Sequence, residues 1–150
     1  MRGIGSDVVE IDRVAESLDR LGDRFVSRVL SPPERQVFAG LRGRRRAEYV
    51  AGRFAAKEAV AKALGCGIGR LGMTSVDIRI AGAESADGQG NGADAANGAG
   101  AGPGAPPACV HGLVAHFLRS PKGVRIEGRV LVSITHTRQL AFAVAVWESV

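Results

Sequence analysis

The residues of this chain best suited to chemistry are two carboxylates and an amine, Asp7, Glu58 and Lys62, with His136 far along the sequence. Glu58 and Lys62 stand four apart among strong helix formers, so an acid and an ammonium project together from one helix face. Ala51 and Ala55, one and two turns earlier on a neighbouring face, cut the adjacent surface back to methyl groups and leave room for a ligand. The same pair is equally the composition of an exposed helix couple contributing about 0.3–0.5 kcal/mol. Asp7 follows a Gly-Ser turn, which either presents its carboxylate or uses it as a turn or cap residue. His136 stands at a strand end, where a structural hydrogen bond and a catalytic role are both open. The alternating glycines of residues 65–69 (GCGIG) can bring backbone N–H groups close to phosphate oxygens, although glycine also ends helices routinely.

To bring these residues together the chain must supply a long helix, a strand and a hairpin. Residues 47–64 read as one helix, free of proline, with Val50, Phe54, Ala61 and Leu64 in an apolar stripe facing a core. Residues 3–12 read as a short strand with a Gly-Ser break after Ile4. Residues 13–30 carry Val14, Leu18, Leu21, Phe25 and Val29 at helical spacing, in two pieces divided at Gly22. Arg13, Arg20, Arg24 and Arg28 lie along them, as a solvated basic face or a docking strip for an acidic partner helix. Ser31 reads as an N-cap with Glu34 completing a capping box, opening a short helix over residues 33–39. Residues 40–46 (GLRGRRR) read as a basic loop before the long helix. Residues 74–80 alternate as a strand with Val76, Ile78 and Ile80 on one face, and residues 109–118 read as a strand and helix start. Residues 129–135 and 140–147 are expected to pair as a hairpin through 136–139, the second strand apolar on both faces and central. Residues 82–107 hold no large apolar side chain and are expected to form a flexible inserted loop.

A chain of 150 residues is expected to fold as a single domain with a real core. It has no apolar run of 18 residues and no basic-then-apolar start ending in a cleavage site, so neither a membrane span nor a secretory signal is expected. Cys66 and Cys109 lack metal-type spacing and fit a reducing cytoplasm. His111 and His116 have no partners at ligand spacing. The net charge of +5 is one-sided: residues 1–70 hold 14 Lys/Arg against 9 Asp/Glu, and residues 71–150 hold 6 against 6. A basic half implies an anionic partner, whether nucleic acid, an acidic protein or a phosphorylated small molecule. Nucleic acid also wants aromatic platforms or a reading helix, and with aromatics at 5% neither is seen.

Three separated blocks, GIGSDVVEIDRV, AGRFAAKEAVAKALGCGIG and VSITHTRQLAFAVAV, resemble the holo-acyl-carrier-protein synthases, small single-domain members of the 4′-phosphopantetheinyl transferase superfamily. The resemblance covers nearly the whole chain outside residues 82–107. It implies an α+β fold, a small antiparallel sheet packed on one long helix and shorter ones. It also implies a homotrimer with sites between neighbouring subunits. The implied reaction moves phosphopantetheine from coenzyme A to a serine of apo acyl carrier protein, leaving adenosine 3′,5′-bisphosphate. By position, Asp7 and Glu58 match the acids that bind Mg²⁺ on the diphosphate, and Lys62 the lysine that contacts it and protonates the leaving oxygen. Such a donor wants its pKa lowered. Arg45, Arg53, Gly65, Gly67 and His136 fall around the nucleotide, the last near its 3′-phosphate. Arg13, Arg20, Arg24 and Arg28 match the region that docks the carrier protein's acidic helix. For the base acting on the serine hydroxyl the resemblance offers Glu34 or a metal-bound water.

Two departures stand out. Cys66 replaces the Thr or other small residue of many members, and residues 82–107 enlarge a loop that is normally short. The rival reading is a basic nucleic-acid-binding module without catalysis, prompted by Arg42–Arg46. It gives Asp7 and Glu58 no role, since acids beside a phosphate-binding groove weaken it.

Overall fold

A computed structural model describes residues 1–80, 112–121 and 123–149; the expected insertion at 82–107, Cys109 and His111 lie outside the described residues. Strand β1 (Gly3–Glu10) leads into α1 (Ile11–Leu21), α2 (Asp23–Val29) and α3 (Pro32–Gly40). The long helix α4 (Arg44–Ala63) follows, then the short α5 (Ile68–Leu71) and a 3₁₀ turn over Met73–Ser75. Strands β2 (Val76–Ile80), β3 (Leu113–Phe117), β4 (Arg129–His136) and β5 (Leu140–Glu148) complete it. The five strands form one antiparallel sheet in the order β1-β5-β4-β3-β2, the α+β architecture expected. Strand β5 is interior, between β1 and β4, as its two-sided apolar sequence requires. No helix among the described residues is long and apolar enough to cross a membrane.

Helix α4 lies across β1 and β5 and is buried almost all round, well beyond a single stripe. Val50, Ala61 and Leu64 of the expected stripe are buried and Phe54 half-buried. Ala51 and Ala55 do not provide a clearance for a ligand. Both are fully buried, Ala51 among Ile11, Val50 and Ala141, and Ala55 among Ala59, Val60 and Ala143. Their small size lets the helix settle onto the sheet.

The strand answers in kind. Gly5 and Ser6 do not break β1, which runs unbroken in register from Gly3 opposite Trp147 to Glu10 opposite Leu140. A Cβ on Gly5 would stand 2.1 Å from the Ala59 carbonyl oxygen, and one on Gly3 2.0 Å from that of Ala63. Glycine is needed here for close approach rather than for a turn.

Helix α4 also starts earlier than expected, so Arg44–Arg46 are its first turn and not a loop. Their charges, unfavourable at a helix N-terminus, have local partners. Arg44 pairs with Asp12 at 3.2 Å and Glu48 at 3.5 Å and donates to the Arg138 carbonyl oxygen, while Arg46 lies 4.3 Å above the Phe38 ring. Strand β2 begins at Val76 and not at residue 74, because Gly72 at φ 74° turns the chain into the 3₁₀ turn. Residues 113–117 are strand throughout, with no helix start.

Among the described residues, nothing covers the face of the sheet opposite α4. Ile4, Val8, Leu140 and Phe142 are exposed there at 60%, 56%, 41% and 41%. Registers Ile4–Val146 and Val8–Phe142 make them one apolar surface across β1 and β5.

Candidate active site

Along β1 the side chains alternate, so Gly3, Gly5, Asp7 and Val9 face α4 while Ile4, Ser6 and Val8 face away. The glycines bring the backbones together, and Asp7, next on that face, meets the C-terminal half of α4. Lys62 Nζ donates to Asp7 Oδ1 at 2.8 Å and to the Ser6 carbonyl oxygen at 2.8 Å. Glu58 is one turn back on the same face. Burial pushes its carboxyl pKa up, the nearby Asp7 charge pushes the same way, and Lys62 opposes both. Two carboxylates beside one ammonium form a site short of positive charge. The expected trio Asp7, Glu58 and Lys62 is therefore assembled.

Lys62 differs from expectation in one respect. Its hydrogen bond to Asp7 raises its pKa, whereas a ready proton donor would have it lowered. In this geometry Lys62 is a firm cation, suited to contact with an anionic group.

The expected nucleotide residues are divided. His136 ends β4 on the sheet face that carries Asp7, and its Nδ1 lies 3.3 Å from the Thr137 carbonyl oxygen. Arg45 is exposed in the first turn of α4. Gly65 and Gly67, at φ 65° and 68°, form the turn beyond the other end of that helix, where the Gly65 N–H donates to the Lys62 carbonyl oxygen at 3.1 Å. A 20-residue helix is about 30 Å long. Arg45 and His136 thus lie far from Gly65 and Gly67 within one chain.

Arg53 turns away from the acids, about 140° around the helix from Glu58. Its guanidinium stacks 4.5 Å over the Tyr49 ring and its Nε lies 3.8 Å from Glu34 Oε1. Burial lifts the Tyr49 hydroxyl pKa to about 12 despite Arg53, so it stays a neutral phenol. Arg13 and Arg20 are exposed on α1, Arg24 and Arg28 on α2, so the proposed docking strip is accessible.

Glu34, the side chain offered as a base, is engaged structurally in this fold. It forms the capping box with Ser31, is buried, and spends both oxygens on donors: Ser31 N–H and Lys57 Nζ on Oε2, Ile78 N–H on Oε1. Lys57 and Asp77 complete this buried group beside Ser31 and Glu34, and these two were not legible as part of it. Lys57 reads in sequence as one more helix-surface lysine, and Asp77 as the solvent side of an alternating strand. The available signal was the run of small apolar residues, Ala55, Ala56, Ala59, Val60 and Ala61, on either side of the Lys57-Glu58 step.

Among known proteins, the chain is 34% identical over 149 residues to the holo-[acyl-carrier-protein] synthase of Enterococcus faecalis, covering 99% of this chain and 98% of that one. It is 35% identical over 148 residues to that of Nitratidesulfovibrio vulgaris, covering 98% of each. A crystal structure of a holo-(acyl-carrier-protein) synthase from Bacillus anthracis in complex with CoA (3′,5′-ADP) superposes with a TM-score of 0.67 at 32% identity, covering 99% of this chain and 97% of the other. The synthase from Neisseria meningitidis gives 0.67 at 26% identity, covering 99% of each. Matched by the superfamily model over residues 3–96 and end to end by these synthases, the chain belongs to the 4′-phosphopantetheinyl transferase superfamily.

Proposed function

We propose that this chain transfers the 4′-phosphopantetheine group of coenzyme A to a serine of an apo acyl carrier protein. The products are the holo carrier protein and adenosine 3′,5′-bisphosphate. The observation that carries the reading is the Asp7–Glu58–Lys62 group, built by β1 and α4 in a chain of this superfamily. The rival nucleic-acid module finds no support in it.

In the reaction the serine oxygen bonds to the phosphorus carrying pantetheine while the bridging P–O bond breaks. Negative charge moves to the departing bisphosphate. Lys62 holds its ammonium where that diphosphate lies against α4, a fixed positive charge that gains strength as the leaving oxygen becomes more anionic. The carboxylates fit Mg²⁺, which takes one or two protein oxygens and fills its shell with phosphate oxygens and water. Asp7 and Glu58 would hold it, and it would supply charge neutralisation at the diphosphate. With Glu34 engaged, no side chain of this group is left as base for the serine hydroxyl, which favours a water.

The whole chain is read as one transferase domain acting in the cytoplasm as a homotrimer. Two features support the trimer. The uncovered apolar face of β1 and β5 wants a second copy against it. The length of α4 between Arg45 and Gly65 also means that one nucleotide touches both groups only if they come from different subunits. The basic strip on α1 and α2 fits the acidic helix of a carrier protein.

The test is incubation with coenzyme A, Mg²⁺ and an apo carrier protein, followed by mass spectrometry. The phosphopantetheine adduct is expected, and its absence with a range of carrier proteins would sink the reading.

A further inference from the structure

The corner between α2 and α3 is bound to α4 by a buried ionic node that the acid pair does not use and that, of the nucleotide residues, only Arg53 touches, with its Nε 3.8 Å from Glu34 Oε1. Lys57 is wholly buried, donating to the Val29 carbonyl oxygen at 2.7 Å and to Glu34 Oε2 at 2.6 Å. Glu34 accepts the Ser31 N–H at 2.9 Å on the same oxygen and the Ile78 N–H at 3.0 Å on the other. Ser31 Oγ donates to Asp77 Oδ1 at 2.9 Å, and Arg79 closes on Asp77 Oδ2. One cluster therefore joins the last turn of α2, the first turn of α3, the middle of α4 and β2.

Such a node adds little net stability. Burial pulls the Lys57 pKa down against the pull of Glu34, and well-packed apolar groups often serve as well as a buried pair. What the node adds is direction. The apolar contacts that Val26, Val29 and Leu30 make around Val50 are non-directional. The lysine, by contrast, seizes one carbonyl at the C-terminus of α2, where a cation also suits the helix dipole. It stands next to Glu58 in the chain, so the same turn of α4 aims Glu58 at Asp7 and Lys57 at α2.

We propose that the Lys57–Glu34 pair is a positioning device. It fixes the helix bearing Arg24 and Arg28 relative to the reactive face of α4, so that a serine delivered by a docked carrier protein arrives in line with Lys62 and Glu58. The inference rests on reading those arginines as the carrier-docking strip. Lys57 touches no substrate; it acts through α2 and α4.

Lys57→Met combined with Glu34→Gln removes both charges at nearly constant volume. With purified apo acyl carrier protein as probe, kcat is expected to fall about tenfold to a hundredfold, the cost of a misplacement near 1 Å. KM for the carrier protein and the calorimetric affinity for coenzyme A should stay within about twofold, because the docking strip is intact and, of the nucleotide residues, only Arg53 loses a contact, its 3.8 Å pair with Glu34. Unchanged kcat beside a lowered Tm, or coenzyme A affinity falling in step with kcat, would overturn the proposal. If the double variant does not fold, Lys57→Gln, which keeps a donor but shortens its reach to Val29, carries the same test with the same outcomes. Arg24→Glu with Arg28→Glu, measured alongside, should raise KM for the carrier protein and spare kcat. No rise there would remove the docking reading and the proposal with it; a rise there beside an unaffected node variant would overturn the node alone.

Discussion

Glu58 and Lys57 are neighbours in the chain with opposite fates, and the difference is what lies across from each. Glu58 faces Asp7, and its folded-state pKa stands above the ordinary 4.5 through burial and that second negative charge. Between 4.5 and the raised value the native state holds more protons than the unfolded one, so this residue makes stability fall as pH rises through that window. A cation needs the ionised form, so affinity for Mg²⁺ should be lost as pH falls through the raised pKa. Glu58→Gln should consequently leave the metal-free protein at least as thermostable at neutral pH, abolish the rise in Tm with Mg²⁺, and cut turnover about 10²–10³-fold. Thermal melts with and without Mg²⁺ across pH, beside the transfer assay, read all three. Unchanged metal-dependent turnover would remove Glu58 from the site.

The packing of β1 against α4 is the element that makes the site. It depends on glycine on the strand meeting alanine on the helix, and the obstacle to anything larger is a backbone carbonyl that cannot swing aside. Gly5→Ala is expected to cost about 3 kcal/mol. It should also separate Asp7 from Lys62, so that activity falls further than the loss of folded protein accounts for. Chemical denaturation together with kcat on the folded fraction distinguishes the two effects. A variant of parental stability and rate would show that the strand can shift freely. The Gly-Ser step was open to a turn reading because glycine serves both turns and close approaches, and only the facing helix tells which. The capping box at Ser31 and the division at Gly22, by contrast, were legible, because caps and breaks are decided within a few residues.

At the scale of the whole molecule, one sheet face is covered by α4 and the other is apolar and open among the described residues. Phe142→Glu, which places a charge opposite Val8 at the centre of that open face, should disperse the oligomer to monomers in light scattering while the chain keeps its helix and strand content. If Arg45 and Gly65 serve one nucleotide from different subunits, transfer activity should fall with the assembly. A monomeric wild-type protein, or a fully active monomeric variant, would remove the trimer from the account. The basic excess of residues 1–70 belongs to this scale as well: α1 and α2 balance Arg13, Arg20, Arg24 and Arg28 against Asp12, Glu16, Asp19 and Asp23, and the excess lies beyond them, around the exposed Arg42–Arg46.

The sequence by itself determined the local decisions. Helical periodicity, caps and strand alternation located the four larger helices and the five strands to within a few residues, and three blocks of motif pointed to the reaction and to the trio Asp7, Glu58 and Lys62. Those features depend on near neighbours or on residue types the chemistry cannot replace. Tertiary structure alone decided which small residues mean close packing and which charges are buried. Lys57 and Lys62 stand five apart in one helix, yet one is locked beneath α2 and α3 and the other is half exposed beside Asp7. Their surroundings come from segments dozens of residues away, and no local pattern records which segment a given helix face will meet.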